Sequence, residues 1–236
     1  MKRNLYIFVR KEEKVKYVLK FFRKRYGEEV EGLLKFGKNV FKLLIVTILS
    51  QRTRDENTRK ASENLFSVAS RPEEILNLPD KKLQELIKPS GMYKQKARKI
   101  KKLCKVLVEE LKGKIPRKRE ELLNLPGVGD KTADIVLSYG FGLPVIAVDV
   151  HVEVCSKRLG LVDKKAKYME IRKELEELVP EKERYMVNLG FVRFGQEICL
   201  TRNPKCYACP FHHFCEFEYK EMFLKNPRKY FAGKIN

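Results

Sequence analysis

Leu125-Pro126-Gly127-Val128-Gly129-Asp130-Lys131-Thr132-Ala133 is the stretch whose reading decides the fold. A proline and two glycines interrupt a helical pattern that resumes directly after them, so the segment reads as a tight turn joining two helices. Glycine reaches positive φ and lets backbone come close to a partner, and the first amides of a helix find no acceptor within it. Gly127, Val128, Gly129 and Thr132 therefore present N–H groups suited to an anion, as when a helix N-terminus holds a phosphate. The plainer alternative is a helix cap followed by another helix. Lys131, at the start of the second helix, is either a phosphate partner or an amine nucleophile.

Downstream, Val148-Asp149-Val150-His151 follows the apolar Leu143-Pro144-Val145-Ile146-Ala147 and opens another predicted helix, where the dipole favours a carboxylate. Asp149 is either an ordinary N-cap or, folded back towards the turn, a charge partner and proton acceptor for the Lys131 amine. His151 either orients Asp149 or is a satisfied structural histidine. Nearer the C-terminus, Cys199, Cys206, Cys209 and Cys215 fall at the spacing C-x6-C-x2-C-x5-C. Disulfides are one rival, but no secretory signal is expected before them and a chain this long scarcely needs staples. Zinc is another, although four-cysteine zinc sites are usually built from two short C-x2-4-C pairs, and Cys206 and Cys209 make one such pair without a second. A sequential run of four suits a cubane 4Fe–4S cluster, which needs one thiolate at each iron. His212 and His213 are read as structural.

The formal net charge of +20, from 51 Lys and Arg against 31 Asp and Glu, points to a polyanionic partner. Nucleic acid leads, and its binding should be steeply salt-dependent. A membrane is not indicated, since the apolar run from Val40 to Leu49 is interrupted by Lys42 and falls short of the ~20 residues needed to span. Leu5 to Val9 is too short for the apolar region of a signal peptide. An intracellular protein, in the cytoplasm and nucleoid of a prokaryote, is the expectation. Hydrophobic residues make up 43% of the chain, enough for a folded globule.

Helical periodicity dominates, and no convincing strand is found. Val15, Val18, Leu19 and Phe22 mark an amphipathic helix over 12–26, and the nearly all-apolar 39–50 reads as a buried central helix. Thr53 and Glu56 have capping-box spacing, and Pro72 suits a first helical position. The stripe Ala97, Ile100, Leu103, Cys104, Leu107, Val108 and Leu111 makes Cys104 a core residue, with the lysines and arginines of 94–106 assigned to the opposite side. Further helices are expected over 118–125, 130–140, 149–159, 165–179 and 181–194. Leu-Asn-Leu-Pro, at 76–79 and again at 123–126, suggests a repeated helix ending.

Turn, lysine, aspartate and cysteine loop, in that order and at these separations, resemble the endonuclease III family of helix-hairpin-helix glycosylases. The resemblance runs from about residue 38 to 218. It implies an all-α fold of two domains with DNA in the cleft between them. Residues 34–144 would form a six-helix barrel carrying the hairpin, and 1–33 with 145–236 an iron–sulfur cluster domain. It implies a monomer acting on double-stranded DNA that holds a damaged base or an abasic site. The activity implied is bifunctional: removal of oxidised pyrimidines such as thymine glycol by Lys131, acting as a neutral amine on the sugar C1′, then strand cleavage by β-elimination. Asp149 would accept the lysine's proton or stabilise charge on the sugar.

By the same resemblance, Met92 in Gly91-Met92-Tyr93 would wedge into the duplex, with a buried methionine beside a glycine turn as the bland alternative. Arg52 stands where the family has a glutamine that fills the gap left by the flipped base, and Gln51 stands one residue earlier, which puts opposite-base contacts in doubt. Arg202 and Lys205 resemble a basic loop that touches phosphates, or are two solvated charges. A monofunctional thymine or uracil mismatch glycosylase, which would normally show another residue in place of Lys131, is the nearest rival. An adenine glycosylase has too little chain after Cys215 for its recognition domain. A non-catalytic DNA-binding module is the rival from another class.

Overall fold

Twelve α-helices, with no strand among the described residues 9–225, make up the computed structural model. They are α1 (Lys11–Gly37), α2 (Val40–Ser50), α3 (Asp55–Phe66), α4 (Pro72–Asn77), α5 (Asp80–Leu86), α6 (Tyr93–Glu109), α7 (Arg119–Leu123), α8 (Asp130–Ile135), α9 (Val150–Leu159), α10 (Tyr168–Leu178), α11 (Tyr185–Glu197) and α12 (Lys220–Lys225). The chain divides into two compact units, one spanning Gly32–Leu143 and the other built from the chain on either side of it. The first boundary falls inside α1.

In the Gly32–Leu143 unit, α2 is the centre. Leu43, Leu44, Ile45, Ile48 and Leu49 are all buried there, and each such side chain contributes about 1.5–3 kcal/mol by leaving water. Asn39 caps this helix, its Oδ1 accepting from the Lys42 amide at 3.0 Å. α3, with Ala61 and Leu65, and the buried face of α6 pack on α2, and α6 in turn carries α4, with Ile75, and α5, with Leu83. Gly37 and Gly140 permit the close approaches that finish the unit, since a Cβ on Gly37 would stand 2.1 Å from the Tyr139 carbonyl oxygen.

The other unit is organised by aromatic rings. Phe22 of α1 meets Phe191 of α11 edge to face at 4.9 Å, and Phe21, Phe194 and Phe211 extend the cluster towards the cysteine segment. Lys14, itself buried, donates to the Leu159 carbonyl at 3.0 Å and to Glu216 at 2.6 Å, fastening α1 to the end of α9.

Several elements depart from the sequence reading. α1 runs beyond 26 because Tyr26 and Val30 continue the buried stripe of Phe22. Thr53 is not a cap; Arg54 precedes α3, and the Thr53 hydroxyl is engaged elsewhere. The helix over 130–140 is α8 followed by a π-helical turn, Val136–Gly140. The helix expected over 181–194 is a 3-10 turn at Glu181–Glu183 and then α11, which continues to Glu197. Lys96 does not lie on the solvent side of α6 but is 4% exposed.

Candidate active site and cysteine pocket

The glycine turn lies between α7 and α8, within the Gly32–Leu143 unit. Gly127 has φ +85°, a conformation that side chains resist, and a Cβ there would meet the Lys99 side chain at 3.3 Å. Gly129 is extended, with φ −116°, and a Cβ on it would project into open space, so this face of the turn can be approached. Leu125, Val128 and Ala133 anchor the turn in the core, while Lys131 is exposed and Thr132 buried. Arg119 at the start of α7 reaches across to α8, its Nε donating to the wholly buried Asp134 at 2.9 Å and its Nη2 to Asp130 at 2.5 Å. The two helices of the hairpin are thereby held by charge as well as by packing.

Two neighbouring segments of this unit carry the other residues singled out in the sequence. Gln51 turns inward, its Nε2 donating to the Gly127 carbonyl at 3.0 Å, with the Thr132 hydroxyl at 3.5 Å. Arg52 is exposed and has φ +53°, and Met92 has φ +46° and is 48% exposed. The buried-methionine alternative is therefore excluded. Gln51 is a support of the hairpin, and Arg52 is the outward-facing member of its pair.

Asp149 belongs to the other unit and is the N-cap of α9, its Oδ1 accepting from the amides of His151 and Val152 at 2.9 Å each. The capping contacts fix where the half-buried carboxylate stands. The His151 ring lies against Gly195 of α11, where a Cβ would come within 2.4 Å of Nδ1.

In the same unit Cys199, Cys206, Cys209 and Cys215 line one small pocket, together with Arg158, Leu159, Phe194, Ile198, Pro204 and Phe217. Arg158 binds both ends of the segment. Its Nη1 donates to the Leu200 carbonyl at 2.9 Å and approaches the Cys199 sulfur at 3.5 Å, its Nη2 donates to the Thr201 carbonyl at 2.8 Å, and its own carbonyl accepts from the Glu216 amide at 2.8 Å. Burial pushes the Cys206 thiol up to about 11 and that of Cys209 to about 12. A hydrogen bond from Cys155, then the Arg158 guanidinium, bring Cys199 down to about 6. Among the described residues no three His, Cys, Asp or Glu side chains converge closely enough to hold one ion. Arg202 and Lys205 are exposed on the loop between the first two cysteines, as are His212 and His213 beyond the third.

Residues 45–181 match the model of the HhH-GPD superfamily base excision DNA repair proteins. Endonuclease III of Thermotoga maritima is 48% identical over 75% of this chain and 83% of its own length. That of Bacillus subtilis is 40% identical over 75% and 81%. The chain belongs to the endonuclease III family. Among solved structures, a trapped endonuclease III–DNA covalent intermediate superposes with a TM-score of 0.79 at 34% identity, covering 89% of this chain and 98% of that one. A thermostable thymine-DNA glycosylase superposes at 0.72 with 28% identity, covering 85% and 98%.

Sequence reasoning misses three residues of this endonuclease III homologue: Lys96, Arg119 and Arg158. Each is a basic residue in a strongly basic chain, so charge alone does not mark it. Lys96 had a signal, standing four residues before Ile100 and seven before Leu103, on the buried stripe.

Proposed function

We infer that this protein is a bifunctional DNA glycosylase and abasic-site lyase of base excision repair. It removes oxidised pyrimidines of the thymine glycol type and cuts the resulting abasic strand by β-elimination, in the nucleoid of a prokaryotic cell. The observation that carries this reading is an exposed lysine at the start of α8 on a glycine turn, in a chain 48% identical to an endonuclease III. The damaged nucleotide must leave the stack before its glycosidic bond is reachable, and a damaged base costs less to extrude. Lys131 Nζ then bonds to the sugar C1′ as the bond to the base breaks, and the base leaves with a proton. Opening of the sugar ring, with a proton delivered to O4′, then turns the secondary amine at C1′ into a protonated Schiff base that keeps the remaining N–H. That cation acidifies the C2′ proton, whose removal expels the 3′ phosphate. Asp149 has the carboxylate's part, taking the amine's proton or stabilising positive charge on the sugar.

The hairpin amides from Gly127 to Thr132 hold a backbone phosphate, and Arg202 and Lys205 add phosphate contacts. Strand scission at an abasic site should be lost in Lys131→Gln. Scission that survives this change would return the chain to a monofunctional or purely DNA-binding role.

The four pocket cysteines fit a 4Fe–4S cluster. A cubane asks for one thiolate at each of four irons, so four thiols spread around one apolar pocket suit it better than they suit a single ion. Cys199, Cys206, Cys209 and Cys215 would hold it as a structural group, and Arg158 holds their segment in shape. Purified protein should be tan with a band near about 400 nm, and Cys199→Ser should bleach it and lower thermal stability. A colourless, equally stable wild-type protein that contains zinc would contradict the assignment.

A further inference from the structure

Lys96 is buried, yet among the described residues its ammonium faces no carboxylate. Its three protons go to three neutral acceptors instead: the Leu49 carbonyl at 2.7 Å, the Thr53 hydroxyl at 2.7 Å and the Ser90 carbonyl at 2.8 Å. A buried charge is expensive even when fully hydrogen-bonded, so filling space does not by itself account for a lysine here. Burial, with the Lys99 charge second, pulls the ammonium down to about 8, which records that cost.

The three acceptors identify what the cost secures. Leu49 lies near the end of α2, Thr53 is in the turn that displays Arg52, and Ser90 immediately precedes Gly91 and Met92. The Thr53 hydroxyl also lies 2.5 Å from the Ser90 carbonyl and 3.1 Å from the Gln51 carbonyl. Gln51 in turn reaches the Gly127 carbonyl of the hairpin. One continuous polar chain thus runs from the hairpin through Gln51, Thr53 and Lys96 to the Met92 turn, all within the Gly32–Leu143 unit.

Both turns are strained. Arg52 and Met92 have positive φ without being glycine, a state that persists only where the surroundings over-determine it. One displays a cation and the other an apolar side chain that is 48% exposed. An apolar wedge unstacks base steps and a guanidinium recognises base edges, so the pair suits a duplex being opened.

We propose that Lys96 is a positioning residue that locks the Arg52 and Met92 turns into one rigid two-pronged unit, referenced to the hairpin, for holding open a DNA duplex from which a nucleotide has been extruded. The proposal rests on the reading of the hairpin as the seat of DNA. A merely structural lysine would affect every activity in proportion to folded protein, whereas a positioning lysine affects the substrates that must be unstacked.

The test uses the full chain with Lys96→Met and Thr53→Val, the latter removing one hydroxyl from the chain of contacts at nearly constant volume. Scission is measured at an abasic site in duplex and in single-stranded oligonucleotides, and extrusion by the fluorescence of 2-aminopurine opposite a stable abasic analogue. The ratio of duplex to single-strand scission should fall on the order of tenfold to a hundredfold in Lys96→Met, as for other small misplacements of reacting groups, and the 2-aminopurine signal should fall with it. Thr53→Val should show the same split at roughly fivefold, as expected for one hydrogen bond, and it decides the matter alone if Lys96→Met does not fold. An unchanged ratio in the folded variants overturns the proposal, as does equal loss on both substrates. Lys131→Gln is run alongside: if it still cuts, the enzymatic reading fails while the extrusion result continues to judge the clamp.

Discussion

Lys96 carries its charge where the neutral amine is favoured, and this gives stability and function opposite pH dependences. An unfolded lysine titrates near about 10.4, whereas the folded residue titrates near about 8. Between those values the unfolded chain holds a proton that the native protein has given up. Folding stability therefore rises with pH across that window as far as this group is concerned. The clamp behaves the other way, because a neutral amine offers two protons to three acceptors. Raising the pH from 7.5 to about 9 should leave the denaturant midpoint level or higher while 2-aminopurine extrusion declines, and that decline should vanish in Lys96→Met. Stability and extrusion falling together, in wild type and variant alike, would contradict this. Its helical phase with Ile100 and Leu103 marks Lys96 as facing inward, but no local pattern announces what it holds. Gly127 is legible in the sequence because a turn between helices demands a φ such as its +85°, and Lys131 because of where that turn puts it. Lys96 is one lysine among many on α6, and its importance comes from two segments that only tertiary folding brings to it.

Elements are legible where an apolar stripe of helical period continues and illegible where a helix end depends on a partner. α2 and α6 follow their stripes, and α1 overruns its expected end because Tyr26 and Val30 stay on the buried side. Thr53 and Glu56 have the spacing of a capping box, but Lys96 and Ser90 compete for the hydroxyl, and tertiary contacts outweigh a local cap. The packing of α1 on α11 turns on Gly190, where a Cβ would lie 2.2 Å from Phe22 Cδ2 and 2.6 Å from its Cγ. Those ring atoms cannot swing aside, since Phe22 is closed in by Phe191 and Phe194. Gly190→Ala should cost about 1–3 kcal/mol in urea unfolding by overpacking. Gly32→Ala, at an α1 position with nothing within 4 Å, should instead gain about 0.5–1 kcal/mol through helix propensity. Equal effects at the two glycines would contradict this account of the contact.

Across the whole molecule, a net charge of +20 supplies a general attraction to a polyanion, and no described helix is long and apolar enough to cross a membrane. Charge alone does not distinguish an enzyme from a DNA-binding module. In the proposed mechanism the distinction rests on Lys131, presented by a hairpin that Arg119 and Gln51 brace, and on Asp149, fixed by its own helix. The order of these features is legible along the chain, and so is the cysteine loop that folds with α9 and α11. The brackets Arg119 and Arg158 are not, because a basic side chain engaged in the interior looks the same in sequence as one in solvent, and for Lys96 the helical phase shows burial but not the partners. The central claim is that the Lys131 amine becomes covalently joined to deoxyribose. Borohydride reduction during reaction with abasic duplex tests it most directly: wild type should form a stable protein–DNA adduct that peptide mapping assigns to Lys131, and Lys131→Gln should form none. An adduct that maps to another residue, or persists undiminished in Lys131→Gln, would contradict the account.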